Sequence, residues 1–507
     1  MTAVALRARA ATSTAAWALV AVMGLAAVLR FGTLATQSYW YDEAVTVHLL
    51  RDAFGAMLSR IPHSESTPPL YYALAWGWSR VLGNGEAALR SLSAVAGTAT
   101  VPFVFASARR LGGQVAGLTA AGLAAVSPFL IWYSQEARAY ALVALLCAAS
   151  LLLSLRARSS PTPGRLAGWA AVSAAAVATH YFAVFVVVPE LAILIADLRG
   201  RARTRAIAVG ASVVVVGCAL FPLALEQRAN GRTNWIAHIP LAGRIGQVPL
   251  HFLAGLGERL PPWIGVALGL AVIAGVLALL LRVARPLRGE AARVLAIGAA
   301  GVAVPLALAL GGADELLSRN LIVAWPALAV GTAAVLTAAA NRRGGIALAA
   351  GAAAIGLTGT IAVAADPSLQ RPDWRQAARL IGDAGTIRAI VAPGGYRALP
   401  LELYLHRADS FPEGRHGVPQ IVELATRGDE SGDCWWGAVC DLPTRRAPRR
   451  PPLPGFAFTG AAHADRFTVT RFRAARARLT TARELGLRPE RHGYVLVLVD
   501  PVEPEDR

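Results

Sequence analysis

Two adjacent carboxylates, Asp42 and Glu43, stand directly after three aromatic residues, Tyr39, Trp40 and Tyr41. Neighbouring acids seldom serve packing, because both charges must be solvated or paired. Such a pair can divide labour: one carboxylate takes a proton from an acceptor hydroxyl while the other anchors an arginine, the substrate or a divalent metal. The plain alternative is a solvated loop beside an interfacial aromatic belt. A second constellation reads Trp132-Tyr133-Ser134-Gln135-Glu136-Ala137-Arg138-Ala139-Tyr140. In it Glu136 and Arg138 can orient a phosphate or a sugar hydroxyl, and Glu136 shares a helical face with Tyr140. Its bland counterpart is a snorkelling arginine next to an interfacial acid. A third runs Asp314-Glu315-Leu316-Leu317-Ser318-Arg319-Asn320. The chain contains no lysine, so Arg319 is a candidate phosphate clamp, its planar fork matching two phosphate oxygens; otherwise it pairs locally with Glu315.

The elements that must position these groups are membrane helices. Of 507 residues 55% are hydrophobic and only 16% charged, with mean hydropathy +0.49, which excludes soluble, disordered, collagen-like and disulfide-scaffold classes. The net charge of +18 is no nucleic-acid signature, because residues 1–364 hold 28 Arg against 13 acids and residues 365–507 hold 21 against 18. Apolar windows near residues 12–33, 86–108, 114–133, 137–155, 165–180, 181–198, 205–225, 263–283, 293–311, 320–340 and 345–364 predict about eleven spans. The basic clusters (Arg7/Arg9, Arg109/Arg110, Arg156 to Arg165, Arg199 to Arg205, Arg282 to Arg293, Arg342/Arg343) then all fall on one side. By the positive-inside rule that side, with the N-terminus, is cytoplasmic. The opposite connections hold Asp42, Glu43, Asp52, Glu65, Glu86, Glu136, Glu226, Glu258, Asp314 and Glu315. His180 breaks the apolar stretch 165–198 and reads as a buried, hydrogen-bonded histidine rather than a ligand, while Trp235 and His238, in the loop 226–262, could line a cavity but read more readily as ordinary loop residues.

The first span follows Arg7 and Arg9, is long, and lacks a small-x-small site after it, so it reads as an uncleaved anchor. Residues 34–85 form a long outer connection, with Asp52 to Arg60 and Leu70 to Val81 expected as interfacial helices. Beyond Asp366-Pro367 the charge rises; Ile387 to Ala392 and Tyr494 to Val499 predict strands, and Trp374 to Ile381 a short helix. The expected architecture is a polytopic α-helical membrane domain, residues 1–364, followed by a small extracytoplasmic α/β domain, residues 365–507. Cys434 and Cys440 are close enough in sequence to bridge in an oxidising compartment, whereas Cys147 and Cys218 lie inside spans as apolar filler. There is no P-loop, dinucleotide fingerprint, zinc spacing or nucleophile elbow, so any chemical energy must arrive with the substrate.

Together the three constellations resemble the polytopic glycosyltransferases of the GT-C class, specifically family 39, the branch shared by protein O-mannosyltransferases and the aminoarabinose transferases that modify lipid A. The likeness covers most of residues 10–375. Tyr41-Asp42-Glu43 is similar to that branch's acidic pair in the first outer loop, and Thr67-Pro68-Pro69-Leu70-Tyr71-Tyr72 to its Pro-Pro-Leu-Tyr-Tyr element. Gly85-Glu86-Ala87-Ala88-Leu89-Arg90 resembles the start of the second span, and Tyr133 to Tyr140 is the most specific match. Ser318-Arg319-Asn320 resembles a late Arg-Tyr element, and Pro372-Asp373-Trp374-Arg375 the start of bacterial outer domains. Thr67 stands where the family often has His or Lys, and Asn320 where it has an aromatic residue.

The resemblance implies transfer of a sugar, mannose-like or another hexose or pentose, from a polyprenyl-phosphate carrier to an extracytoplasmic protein, lipid or glycan, with inversion. It implies catalytic roles for Asp42, as base, and Glu43, as its structural and substrate-binding partner. Arg138 and Arg319 would stabilise the departing phosphate, Glu136 would orient Arg138, and Tyr41, Tyr71, Tyr72, Gln135 and Tyr140 would bind substrate. The competing class is a transporter or flippase of a lipid-linked saccharide, which usually places its ionisable groups near the midplane rather than at the outer ends of spans.

Overall fold

The structure is a computed structural model that describes residues 3–255, 260–382, 386–393, 398–405, 408–426, 450–464, 466–486 and 495–500. Its contacts divide the chain into a unit of residues 1–34 and 49–367, and a second unit in which residues 35–48 group with the chain from Ser368 onward.

The first unit is helical because hydrocarbon offers backbone N–H and C=O groups no partner, so each segment must satisfy its own. Its helices are α1 (Ala3–Phe31), the end of α2 (Tyr41–Arg51), α3 (Phe54–Ser64), α4 (Leu70–Leu82), α5 (Glu86–Val126), α6 (Pro128–Ser134), α7 (Tyr140–Ser159), α8 (Pro163–Thr179), α9 (Val184–Asp197) and α10 (Gly200–Ala229). Then follow α11 (Leu241–Ala254), α12 (Pro262–Leu281), α13 (Arg285–Leu310), α14 (Trp325–Leu336, preceded by a 3-10 turn over Ser318–Ala324) and α15 (Arg342–Ala365). Among the described residues, eight helical stretches are long and apolar enough to cross a membrane, so this is a multi-pass membrane protein. The expected count of about eleven is reached only by taking α5, 41 residues long, as two spans and adding α8 and α9, of 17 and 14 residues. Gly113 divides α5, its φ of 80° being open to a residue without Cβ. His180 separates α8 from α9: its backbone is extended, and its Nδ1 accepts from the N–H of Phe182 at 3.2 Å. The buried, hydrogen-bonded histidine expected there is the one observed.

Helix α5 is the hub of this unit, packed against α1, α7 and α14. Arg30, fully buried near the end of α1, donates to the carbonyls of Ala124 (2.8 Å) and Ala125 (2.9 Å), satisfying orphan acceptors at the end of α5. Gly97 permits the close approach of α6, since a Cβ there would lie 1.9 Å from the Ser134 hydroxyl. Buried Glu190 on α9 accepts from Trp169 Nε1 on α8 (2.8 Å) and Ser150 Oγ on α7 (3.1 Å), joining three helices through one acid. At the helix ends expected to be cytoplasmic, Arg158 pairs with both Asp197 (2.6 Å) and Glu290 (2.8 Å).

The second unit is built on a six-stranded sheet. Its strands are β1 (Arg388–Pro393), β2 (Asp409–Ser410), β3 (His416–Thr426), β4 (Phe456–Ala464), β5 (Phe467–Thr480) and β6 (Val495–Asp500), in the order β2-β6-β1-β3-β5-β4. Among the described residues, only β1 and β3 pair in parallel. Alternating residues feed two apolar layers. Ile390, Val422, Phe467 and Val469 pack with Trp374 and Ile381 of α16 (Trp374–Ile381), while Ala389, Val391, Ile421 and Phe472 face the other layer. The expected helix is observed at its predicted bounds, and the two expected strands within a residue. The β4-β5 hairpin and β3 were not anticipated: β5 alternates Arg471 and Arg473 with Phe472 and carries Arg476 and Arg478 toward its end, which masks its apolar period. Cys434 and Cys440 lie outside the described residues; Cys147 is buried and Cys218 exposed, both as free thiols.

Candidate active site

In the second unit, Asp42 and Glu43 occupy the first turn of α2, where the helix dipole and unpaired N–H groups favour anionic side chains. The two acids have different surroundings. Glu43 is fully buried; its Oε2 lies 3.5 Å from the Trp40 N–H and 3.9 Å from Nη1 of Arg371, whose side chain is also buried. The Arg371 guanidinium sits 5.0 Å above the Trp40 ring. Asp42 is only half-buried, as is Tyr41 before it. Sequence reasoning did not single out Arg371, which sits just ahead of the Pro372-Asp373-Trp374-Arg375 motif.

In the first unit, Arg138 follows α6 in a tight turn, its N–H donating to the Glu136 carbonyl at 2.8 Å. Its guanidinium grips Glu65 with two nitrogens, Nη1 to Oε1 at 3.0 Å and Nη2 to Oε2 at 2.8 Å. Both side chains are under one-tenth exposed. Tyr72 donates to the same carboxylate at 2.6 Å, its hydroxyl within 3.1 Å of Thr67 Oγ1, and its ring lies 5.7 Å from the Arg138 guanidinium carbon. Burial pushes the Tyr72 hydroxyl well above its ordinary pKa, so it remains a donor. Tyr71, equally buried, meets Ser93 Oγ at 3.5 Å, and Ser93 donates to the Arg138 carbonyl at 3.3 Å. Glu65 was legible in the sequence only as one acid among the outer connections; its one local signal is a place two residues before Thr67-Pro68-Pro69. Glu136, expected to orient Arg138, is buried at the turn. The Gln135 amide nitrogen donates to the carbonyls of Leu29 and Arg30 and to Thr33 Oγ1, closing the end of α1.

The third constellation joins the second here. Arg319 lies 5.9 Å from the Tyr140 ring and 5.7 Å from that of Trp235, the latter a residue that sequence reading took as plain loop. Tyr140 in turn packs on Tyr133 (4.8 Å) and His180 (5.7 Å). Glu315 accepts from Thr233 Oγ1 at 2.7 Å, and its burial raises the carboxyl pKa. Asp314 is held bidentately by Arg244 (2.6 and 2.5 Å), hydrogen bonds that pull its pKa below the usual range. His251 Nδ1 lies 2.6 Å from Ser318 Oγ. Arg138 thus lies over the Tyr72 ring and Arg319 over those of Tyr140 and Trp235, with Glu65 holding Arg138 and Asp314 holding Arg244. Among the described residues no three His, Cys, Asp or Glu side chains are grouped to hold a metal ion.

Residues 66–223 match the family described as dolichyl-phosphate-mannose-protein mannosyltransferase. No curated protein matches the chain significantly. Among solved structures, the Archaeoglobus fulgidus oligosaccharyltransferase, in complex with zinc and sulfate, is 12% identical with a TM-score of 0.44, over 80% of this chain and 67% of its own. ArnT from Cupriavidus metallidurans, bound to undecaprenyl phosphate, is 14% identical with a TM-score of 0.42, over 89% of this chain and 97% of its own. The matched segment holds the Thr67-to-Tyr72 and Tyr133-to-Tyr140 motifs.

Proposed function

We propose that this chain moves a sugar from a polyprenyl-phosphate carrier to an acceptor outside the cytoplasm, with the N-terminus cytoplasmic and the C-terminal unit outside. The observation that carries this reading is the pair of guanidiniums, Arg138 and Arg319, each set over aromatic rings in the helical unit of a chain whose sequence has no nucleotide cradle. A departing phosphate needs fixed cationic groups where its charge develops, and these cost least when oriented before the reaction. Arg138 is oriented by Glu65 and Tyr72, and Arg319 by the faces of Tyr140 and Trp235. In the reaction the acceptor oxygen forms a bond to the anomeric carbon as the bond from that carbon to the phosphate oxygen breaks. The electron pair leaves on the phosphate and the hydroxyl proton passes to Asp42, giving inversion. Asp42 suits the base because it is the acid of the pair that reaches the surface, whereas Glu43 is buried against Arg371. Tyr41, Tyr71, Tyr72, Gln135, Glu136 and Tyr140 belong to this reading as substrate-binding groups.

A synthetic polyprenyl-phosphate mannose or pentose, offered in detergent with hydroxyl acceptors, tests it. The native chain should form the glycosylated acceptor. Asp42→Asn should lower turnover about 10²–10⁴-fold, the usual contribution of a general base, while donor still binds. Undiminished turnover in that variant removes Asp42 from the chemistry. Relocation of intact donor across a vesicle bilayer without product formation would favour the flippase reading. A reporter fused after Arg507 should report the outer compartment.

A further inference from the structure

The second unit contains more than a sheet. The stretch that leads into its helix α16, residues 370–375, is fastened along residues 35–40, the strip immediately before Asp42. Ser38 Oγ donates to the Pro372 carbonyl (3.1 Å) and accepts from the Trp374 N–H (2.9 Å), so one hydroxyl closes both directions of the contact. Gln37 Oε1 accepts from the Arg371 N–H at 3.1 Å. Arg375 Nη2 donates to the carbonyls of Ala35 (2.9 Å) and Thr36 (2.6 Å), and the Tyr404 hydroxyl accepts from the Tyr39 N–H at 2.6 Å. Arg371 completes the set by lying over Trp40 and facing Glu43. His48 Nε2, farther along α2, lies 3.7 Å from Glu402 Oε2. These contacts engage every residue from 35 to 40, through the main chain at Ala35, Thr36 and Tyr39 and through the side chain at Gln37, Ser38 and Trp40, which is more than a loop needs to stay on a surface.

We propose that the C-terminal unit is the positioning element for Asp42, and that Arg371 is its principal positioning residue. Asp42 has a carboxylate neighbour, Glu43, that is buried with the Arg371 guanidinium 3.9 Å away. The guanidinium neutralises that charge, and its flat face on Trp40 fixes the residue two before Asp42. With the clasp on residues 35–40 this sets the rotation of the first turn of α2, and thereby the direction in which Asp42 points. Glu43 and Arg371 act through Asp42 and touch no reacting atom. The inference deepens the reading of Asp42 as the base and therefore rests on it for its kinetic arm; its structural arm stands by itself.

The experiment uses the full chain in detergent, with Arg371→Met, Arg371→Lys and Ser38→Ala. Hydrogen exchange of amides 39–44 should accelerate at least about tenfold in Arg371→Met and less in Arg371→Lys, while exchange in the helices from Glu86 to Ala365 stays unchanged. Ser38→Ala, which keeps the buried charge pair intact, should loosen the same amides if Arg371→Met proves unable to fold. In the transfer assay the variants should lose kcat with donor KM within about twofold of native, and Arg371→Lys should recover part of the loss. Unaltered exchange at residues 39–44 in both Arg371→Met and Ser38→Ala overturns the proposal, as does faster exchange with native kcat. If the native chain shows no transfer at all, the reading of Asp42 as a base fails, and the exchange data still decide whether Arg371 holds this segment.

Discussion

Each of the two units buries one carboxylate against one guanidinium with an aromatic face beside it, and the two arrangements differ in what does the holding. In the membrane unit Glu65 meets Arg138 through two short, parallel contacts, and Tyr72 supplies a third bond to the same acid. In the C-terminal unit Glu43 and Arg371 stand 3.9 Å apart, with the Arg371 guanidinium over Trp40 and its N–H donated to Gln37. The bidentate pair orients a cation. The looser pair stands beside Asp42, the half-buried acid before it. The difference teaches that a buried guanidinium can be held by direct charge-assisted bonds to an acid, as Arg138 is, or set over an aromatic face with its main chain tied down, as Arg371 is.

The comparison is broken most severely at Glu65. Glu65→Gln leaves the Arg138 guanidinium buried without its anion, a loss of about 3–5 kcal/mol by the usual behaviour of such pairs. The thermal midpoint in detergent should drop clearly and transfer should fall with it, and a double variant with Arg138→Met should be less destabilised than the sum of the two singles. An additive double variant would show that the two groups do not depend on one another. Next in size is Arg319→Ala, which removes a cation from two rings and should weaken donor binding about tenfold or more, measured as donor KM, while the fold survives. Equal KM values would detach Arg319 from the phosphate.

Asp314→Asn should cost about 1.5–3 kcal/mol, because it loses a charged hydrogen-bond acceptor for Arg244, whose side chain is buried. The Asp314 carboxyl is held below its ordinary range in the folded chain. Its contribution is therefore present at neutral pH and is lost as pH falls below that range, so the native-minus-variant gap in thermal midpoint should narrow toward acid. A gap independent of pH would contradict the pairing. The smallest effect belongs to Tyr72→Phe, about 0.5–1.5 kcal/mol for one buried hydrogen bond, and ultraviolet difference spectra should show no Tyr72 ionisation through the ordinary tyrosine range.

Local pattern made much of this legible. Trp374 to Ile381 is a helix in sequence because its apolar residues repeat at helical spacing after Asp373, and Asp373 does cap it, accepting from the Gln376 N–H at 3.2 Å. The outer arginines stood out because the chain has no lysine to share their work. Glu65 and Trp235 did not stand out: neither belongs to a local pattern, and each gains its meaning from a residue more than seventy positions away. The same holds for Arg30, which reads as a charge at the edge of a span and serves as a cap for α5.

Composition and charge order alone determined that this is a multi-pass membrane protein with a later α/β unit, since hydrocarbon and backbone hydrogen bonding leave an apolar chain few choices. The identity of the acidic pair and the arginines was likewise written in their types. What only the tertiary structure decided was which acid serves which arginine: Glu65 for Arg138, Glu43 beside Arg371, and Asp314 for Arg244. A carboxylate is chemically the same wherever it stands. Its partner is set by burial and distance, and those exist only once segments remote in sequence have packed together.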